Sequence, residues 1–366
     1  MEKAKNILFK LYLKGNGVVN FDDGRQFNIL KDHCGVKMPD KATECFKFAK
    51  KSFRKIYDKD NNEDGQTGPD IAYNLKISSA CLKHEIYKDD PSFNVKFCIN
   101  EPYCIDFITS IAGLLRGYLI PVEKGKGNSL NLTTRVGITD AEEISNAMTY
   151  IEINTHDIKK ESKKSANDKG GTSLYYTENV GATEYMAKGH IDIKELKFLS
   201  GSEDRDRQAI TQDWINCLEP FFRNHYPELC KEGLPYEVGF FTKIKEECGK
   251  AEAEYGLKFK DEFVKYLTIE AIKRLLSVHI KRGGSYAQTA RLEIRFVYDA
   301  LVDTYDSNSI QNPWYTVVTD DYTGDGAEDG IVPITFDEIT KRSFEDFYRE
   351  VPEEEKSGMR KELKIK

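Results

Sequence analysis

The residues best suited to chemistry lie at 76–87, where the pair Ser78-Ser79 precedes apolar residues at helical spacing. Serine is a preferred N-cap, so this pattern predicts a helix whose first turn presents backbone N–H groups. Those N–H groups and the helix dipole both favour a nearby anion. With Lys83 and His84 beside that turn, the stretch predicts a seat for a phosphate group. The alternative is a capped amphipathic helix whose cations are only solvated.

Two glycine-containing stretches could also approach phosphates. Lys14-Gly15-Asn16-Gly17 follows a predicted strand at 7–13, and a basic Gly-Gly loop at 281–289 follows a predicted helix at 259–280. Glycine allows a backbone to come close to a ligand, although it more often forms a turn or a bulge.

A third cationic stretch, at 159–171, contains five lysines and ends in two glycines. It is too polar and too charged to pack a core, which predicts a mobile excursion. This excursion is either a cationic contact for a ligand or a solvated loop, since lysine clusters are common on loops.

Composition limits the possible partners. The 366 residues carry 54 Lys and Arg against 61 Asp and Glu, a net charge of −7, which excludes a generally basic surface but not a local basic groove. No apolar run is long enough to cross a bilayer, and residues 7–13 are too few and too strand-like for a signal peptide, so we expect a cytoplasmic protein without membrane contact.

Metals, cofactors and disulfides are not expected. The eight cysteines form no C-x-x-C pair. Residues 58–65 match only the first half of a calcium loop, because Ile71 stands where a bidentate glutamate is required.

Periodicity predicts the elements that must position these residues. Strands are expected at 7–13, 93–99, 130–138, the second half of 177–193, and 291–298; helices are expected at 41–57, from Ser79, at 105–119, 207–223 and 259–280.

Four stretches in this order resemble the CRISPR-associated RAMP superfamily and, within it, the Cas-seven family of backbone subunits that polymerise along a guide RNA. Residues 77–84 resemble the family's Ser-Ser-Leu-Lys/Arg helix start, and 135–141 its second core strand. Residues 178–185 are similar to the return from its thumb, and 282–286 to its glycine-rich loop.

The resemblance implies an α+β fold with a ferredoxin-like (RRM-like) βαββαβ palm and large insertions. The core would span 1–302, with a finger-like helical insertion at about 85–130, a thumb at 140–180 and a second insertion at 200–258. Residues 303–366 would form an acidic C-terminal extension that packs on the core.

By the same resemblance, the chain would be a non-catalytic subunit without cofactors that binds guide RNA and presents it for target DNA recognition in antiviral defence. Its partners would be CRISPR guide RNA, the target DNA strand, further copies of itself in a helical filament, and other Cascade-type subunits at the filament ends. The expected RNA-binding residues are Lys14, Asn16, Ser78, Ser79, Lys83, His84, Arg135, Lys159, Lys160, Lys163, Lys164, Lys281, Arg282, Gly283, Gly284, Ser285 and Tyr286.

The sequence departs from the family in two places. The glycine-rich loop is short, with Ala287, Gln288 and Thr289 where further glycines are expected. RNA-cleaving type III members carry a Gly-Gly-x-Asp context ahead of the first helix, and residues 15–22 lack it. This favours a non-cleaving type I subunit, such as that of the type I-F variant.

Two other functions remain open. One is a metal-dependent ribonuclease subunit of a type III-like effector complex that uses Asp22, Asp23 or Asp140. The other is a plain single-stranded-RNA-binding module, although paired sheet aromatics at the usual spacing are missing. The sequence contains no H-E-x-x-H, Walker loop, Rossmann fingerprint or nucleophile elbow, so no catalytic residue is predicted.

Overall fold

A computed structural model provides the structure of the chain. It describes residues 4–16, 21–22, 46–49, 51–56, 70–90, 102–120, 130–145, 147–157, 172–202, 210, 212–244, 251–282, 285–297, 305, 313–318 and 332–335.

Strands dominate the described residues. In chain order they are β1 (Asn6–Asn16), β2 (Phe21–Asp22), β3 (Phe46–Ala49), β4 (Lys51–Ile56), β5 (Asp70–Ile77), β6 (Tyr118–Ile120), β7 (Leu130–Leu132), β8 (Val136–Ile138), β9 (Ala141–Glu143), β10 (Thr149–Asp157), β11 (Thr172–Val180), β12 (Thr183–Asp192), β13 (Phe198–Ser202), β14 (Tyr236–Ile244), β15 (Ala251–Phe259), β16 (His279–Arg282), β17 (Ser285–Val297), β18 (Tyr315–Val318) and β19 (Val332–Thr335).

Helices are fewer and mostly short. They are α1 (Ser79–Tyr87), α2 (Pro102–Thr109), α3 (Ile111–Arg116), α4 (Ile193–Leu196), α5 (Gln212–Ile215), α6 (Leu218–His225) and α7 (Asp261–Leu276). None of these described helices is long and apolar enough to span a bilayer.

The main sheet has ten strands in the order β19-β18-β17-β1-β12-β9-β5-β4, with β16 paired to β17 and β8 paired to β12. β1 lies at its centre and is antiparallel to both β12 and β17. Alternate residues of β1, from Ile7 through Phe9 and Leu11 to Leu13, are fully buried. They belong to the same hydrophobic core as Leu82 of α1 and Phe263 of α7, while the intervening residues point to the opposite face of the sheet.

Three smaller sheets accompany the main one. The β10–β11 hairpin joins β3 and β2 in a four-stranded sheet, β13, β15 and β14 form a three-stranded sheet, and β6 pairs with β7. Phe222 of α6 packs against Tyr236, Phe259 and Phe263, which ties the three-stranded sheet to α7.

The predicted helix at 41–57 is wrong, because β3 and β4 occupy this stretch. β4 pairs along its whole length with β5, and β3 pairs with β2 and β11. Phe46 and Phe48 already alternate with period two. Pairing with distant strands therefore overrides an apparent helical spacing.

Four other predicted elements are interrupted or end early. The helix at 105–119 is two helices, because Ser110 starts α3 by accepting a hydrogen bond from the Gly113 N–H. The helix at 207–223 likewise divides into α5 and α6, and the strand at 130–138 into β7 and β8. α7 ends at Leu276, and the predicted basic loop forms a β16–β17 hairpin.

Several predictions fall outside the described residues. These are the strand at 93–99, the polar loop at 58–65 and the lysine-rich stretch at 159–171.

Candidate nucleic-acid interface

The predicted cap of α1 is confirmed. Ser78 is the N-cap residue, with extended backbone, and its hydroxyl accepts a hydrogen bond from the Cys81 N–H at 3.3 Å. Leu82 and Ile86 face the core, whereas His84 is exposed and Lys83 is half-buried. α1 therefore places its two candidate cations at or near the surface.

The anion-binding position at the N-terminus of α1 is occupied by a carboxylate of the same chain, that of Asp140. The Ser79 N–H donates to Asp140 Oδ1 at 2.7 Å, and Lys76 Nζ lies 2.8 Å from Asp140 Oδ2. Partial burial raises the pKa of the Asp140 carboxyl, but the hydrogen bonds from Lys76 and Ser79 outweigh it and hold the pKa below its ordinary value. Asp140 thus takes the place that the sequence prediction reserved for a phosphate, and Ser78 and Ser79 serve as a structural cap.

The end of β1 and the β16–β17 hairpin come together. Asn16 lies opposite Tyr286, and Gly15 opposite Ala287. A Cβ atom on Gly15 would lie 2.6 Å from the Tyr286 carbonyl oxygen, so glycine is required there by the close approach of β17. Lys14 is 65% exposed and pairs with Glu184 at 3.0 Å.

The hairpin adds two exposed side chains to this end of the sheet. Lys281 lies directly across from Tyr286, and both are exposed. Lys88 Nζ, just beyond the end of α1, donates to the His279 carbonyl oxygen at 3.0 Å, which links α1 to the start of the hairpin. Gly283 and Gly284, together with the side chains of Arg282 and Ser285, lie outside the described residues.

Arg135 does not lie with these residues. It lies in the connection from β7 to β8, and its side chain is buried, at 4% exposure. Its guanidinium donates to the carbonyl oxygens of Phe198 at 2.7 Å and of Glu195 and Thr133 at 3.3 Å. Burial lowers the pKa of Arg135 to about 10. We therefore remove it from the RNA-contacting set and assign it a structural role.

A hydrogen-bond network that the sequence prediction missed lies at the base of the β10–β11 hairpin, here called the hairpin root (residues 143–147 and Thr183). Glu143 accepts hydrogen bonds from the Leu75 N–H at 3.3 Å and from the Ala147 N–H. Beside it, the Ser145 and Thr183 hydroxyls are 2.8 Å apart. The chain enters and leaves the hairpin through these residues. The hydrogen bond from Leu75 to Glu143 therefore connects the base of the hairpin to β5. Its partners are up to 68 residues distant in sequence, and no local pattern identifies it.

The lysine-rich stretch lies in the connection between β10 and β11. Lys159, Lys160, Lys163 and Lys164 themselves are outside the described residues.

The chain is similar to a known protein family and to solved structures. The family model of the type I-Fv CRISPR-associated protein Cas7fv-like matches residues 4–309. Among solved structures, a CRISPR RNA-guided surveillance complex is similar with a TM-score of 0.37 and 7% identity over 90% of this chain and 94% of that one. A pre-nicking CRISPR RNA-guided surveillance complex gives a TM-score of 0.38 and 7% identity over 90% and 95%.

No curated protein sequence matches the chain. The family match, by contrast, covers most of the 366 residues, including β1, α1, α7 and the β16–β17 hairpin. The chain therefore belongs to the Cas7fv-like family of type I-Fv CRISPR-associated proteins.

Proposed function

We propose that this protein is a non-catalytic backbone subunit that binds CRISPR guide RNA and polymerises along it, so that the spacer is presented for pairing with target DNA in antiviral defence. The observation that carries this proposal is the match to the Cas7fv-like family over residues 4–309. Other Cascade-type subunits would bind the filament ends, and the complex would act in the cytoplasm.

A ferredoxin-like βαββαβ palm is part of the proposal. The strand order β17-β1-β12-β8, antiparallel at each step, supports it. α1 follows β1 in sequence and precedes β8, and α7 lies between β12 and β17. That is the order of elements in a ferredoxin-like sheet. The thumb at 140–180 would be the β10–β11 hairpin, and the other insertions would be those at 85–130 and 200–258.

The RNA path would follow the exposed cations and polar groups at the end of the sheet and on α1. Lys14, Asn16, Lys281 and Tyr286 are neighbours there through the strand register. Lys83 and His84 on α1, the residues Arg282 to Ser285 at the hairpin tip and the lysines at 159–164 complete the proposed set. Contacts of this kind go to phosphates and bases without reading a sequence, as a guide-RNA scaffold requires.

A scaffold role also agrees with the position of Asp140. Its carboxylate is engaged by Lys76 and the α1 N-terminus, so it is not open to a divalent metal in this arrangement. Incubating bound, labelled target RNA with Mg²⁺ or Mn²⁺ tests this: no cleavage is expected. Regularly spaced cuts that disappear in Asp22→Ala or Asp140→Ala would favour the metal-dependent ribonuclease.

Salt-dependent RNA binding tests the main proposal. The protein, expressed with a CRISPR array, should copurify with RNA, and its affinity should fall steeply with salt because phosphate contacts release counterions. Lys83→Glu should weaken binding to all sequences alike and lower the salt slope by about one. Lys231→Glu is the control, because Lys231 is a surface lysine outside the proposed RNA-binding set that pairs with Glu228 beyond the end of α6. An equal effect of both variants, or a protein free of RNA, would contradict the proposal.

A further inference from the structure

The face of the main sheet that points away from α1 and α7 carries a second set of polar residues. Along β1 these are Lys10, Tyr12 and Lys14, which alternate with the buried core residues. The strand register places Tyr12 between Arg291 of β17 and Met186 of β12.

The guanidinium of Arg291 lies over the ring of Tyr12 on this face. The Arg291 guanidinium carbon lies 4.2 Å from the centre of the Tyr12 ring. The Arg291 side chain is nevertheless 44% exposed. One side of the guanidinium therefore rests on an aromatic ring, while much of the side chain stays in contact with solvent.

Glu293 holds this pair in place. It is buried, and its carboxylate lies 3.1 Å from Arg291 Nε and accepts a hydrogen bond from the Tyr12 hydroxyl at 3.3 Å. Burial and the charge of Glu293 both raise the pKa of Tyr12, so its hydroxyl stays protonated and continues to donate. Because Glu293 also balances the charge of Arg291, the exposed guanidinium offers a flat, preorganised surface more than a free positive charge.

The chain covers other cations of this face with its own aromatic rings, Lys10 and Lys188 among them. Lys10 Nζ lies 4.3 Å from the Trp314 ring centre, and Lys188 Nζ lies 5.5 Å from that of Tyr305. Tyr305 also donates to the Gly189 carbonyl oxygen. Lys10 and Lys188 thus already lie against planar aromatic rings of this chain. Arg291 lies two residues further along the sheet, opposite Tyr12, and its side chain remains partly exposed.

We propose that Arg291, which lies over the ring of Tyr12, is a platform on which a base of single-stranded RNA stacks. This inference rests on the proposed function, because it adds a base contact beside Lys14, Asn16 and Tyr286. Asn16 and Tyr286 lie on the same face four residues along β1 from Tyr12, about 13 Å away at the rise of a strand. The neighbouring Glu184 carboxylate is paired with Lys14 and repels a phosphate less than a free carboxylate would.

The test compares RNA that has bases with RNA that lacks them. Binding of a uridine oligonucleotide and of an abasic oligonucleotide of the same length is measured for the wild type, Arg291→Lys and Lys83→Gln. Lysine keeps the charge that Glu293 needs but loses the planar group. The wild type should prefer the uridine RNA by about fivefold or more. Arg291→Lys should lose most of that preference with little change in salt slope, whereas Lys83→Gln should weaken both RNAs equally.

A crosslinking experiment on the wild type removes any dependence on how the variant folds. RNA that contains 4-thiouridine should crosslink to the peptide that carries Tyr12 or Arg291. An unchanged base preference in Arg291→Lys, together with no such crosslink, would overturn the platform and leave the proposed function intact. Loss of self-association with unchanged RNA binding would also overturn it, in favour of a protein contact. A wild type that binds neither RNA would overturn the proposed function itself, and this inference with it.

Discussion

Replacing Arg135 by methionine separates a structural role from an RNA contact. The guanidinium is the donor for the carbonyl oxygens of Phe198, Glu195 and Thr133. Hydrogen bonds from charged donors contribute about 1.5–3 kcal/mol each when well formed. The 2.7 Å bond to Phe198 falls in that range, and the two bonds at 3.3 Å contribute less.

The expected loss in Arg135→Met is about 2–4 kcal/mol of unfolding free energy. The lost hydrogen bonds together contribute roughly 4 kcal/mol to stability. A charge is unfavourable in a low-dielectric interior, so removing it offsets part of this loss. Methionine keeps the apolar length of the side chain, so cavity formation adds little.

Urea unfolding followed by circular dichroism measures this loss. Arg223→Met is the matched control: Arg223 is half exposed and pairs with Glu219, so the change should lower stability much less than Arg135→Met does. RNA binding by folded Arg135→Met should keep the wild-type salt slope. Unchanged stability with a salt slope lower by about one would refute the structural role and restore Arg135 to the RNA-contacting set.

Three further predictions concern the sheet and the hairpin root. In urea unfolding, Gly15→Ala should lower stability by about 1–3 kcal/mol, because the added Cβ would clash with a carbonyl oxygen of β17. Gly181→Ala is the control and should change stability little, because the nearest atom to its Cβ would be 3.4 Å away. Equal effects of the two variants would contradict this packing. Asp140, whose pKa is lowered by folding, should stabilise the protein above about pH 4 and lose that contribution as the pH falls through its folded pKa. Asp140→Asn should remove this part of the pH dependence of unfolding, and an unaltered pH profile would argue against the link to α1. Glu143→Ala should speed hydrogen exchange at the Ala147 amide by opening the hairpin root; unchanged protection would show that the hairpin is held otherwise.

Local signals predicted the parts of the site that depend on neighbouring residues. Ser78 caps α1 as expected because an N-cap acts within three residues of itself. The alternation of β1 and β12 likewise follows from their own sequence, since one face of each strand must be buried.

Features set by distant partners could not be predicted in this way. Arg135 is buried because carbonyl groups 60 residues or more further along the chain, at Glu195 and Phe198, surround it. Asp140 reaches the α1 N-terminus from the connection between β8 and β9, 61 residues away from Ser79. The position of Arg291 over the Tyr12 ring depends on the pairing of β1 with β17, and neither residue stands out in the sequence.

The central claim is that several copies of this protein assemble along one RNA, and native mass spectrometry tests it most directly. The protein is mixed with CRISPR guide RNAs whose spacers increase in length by equal steps. The number of bound copies should rise in proportion to spacer length, with salt-sensitive affinity throughout. A single copy at every length, or no complex at low salt, would contradict the account.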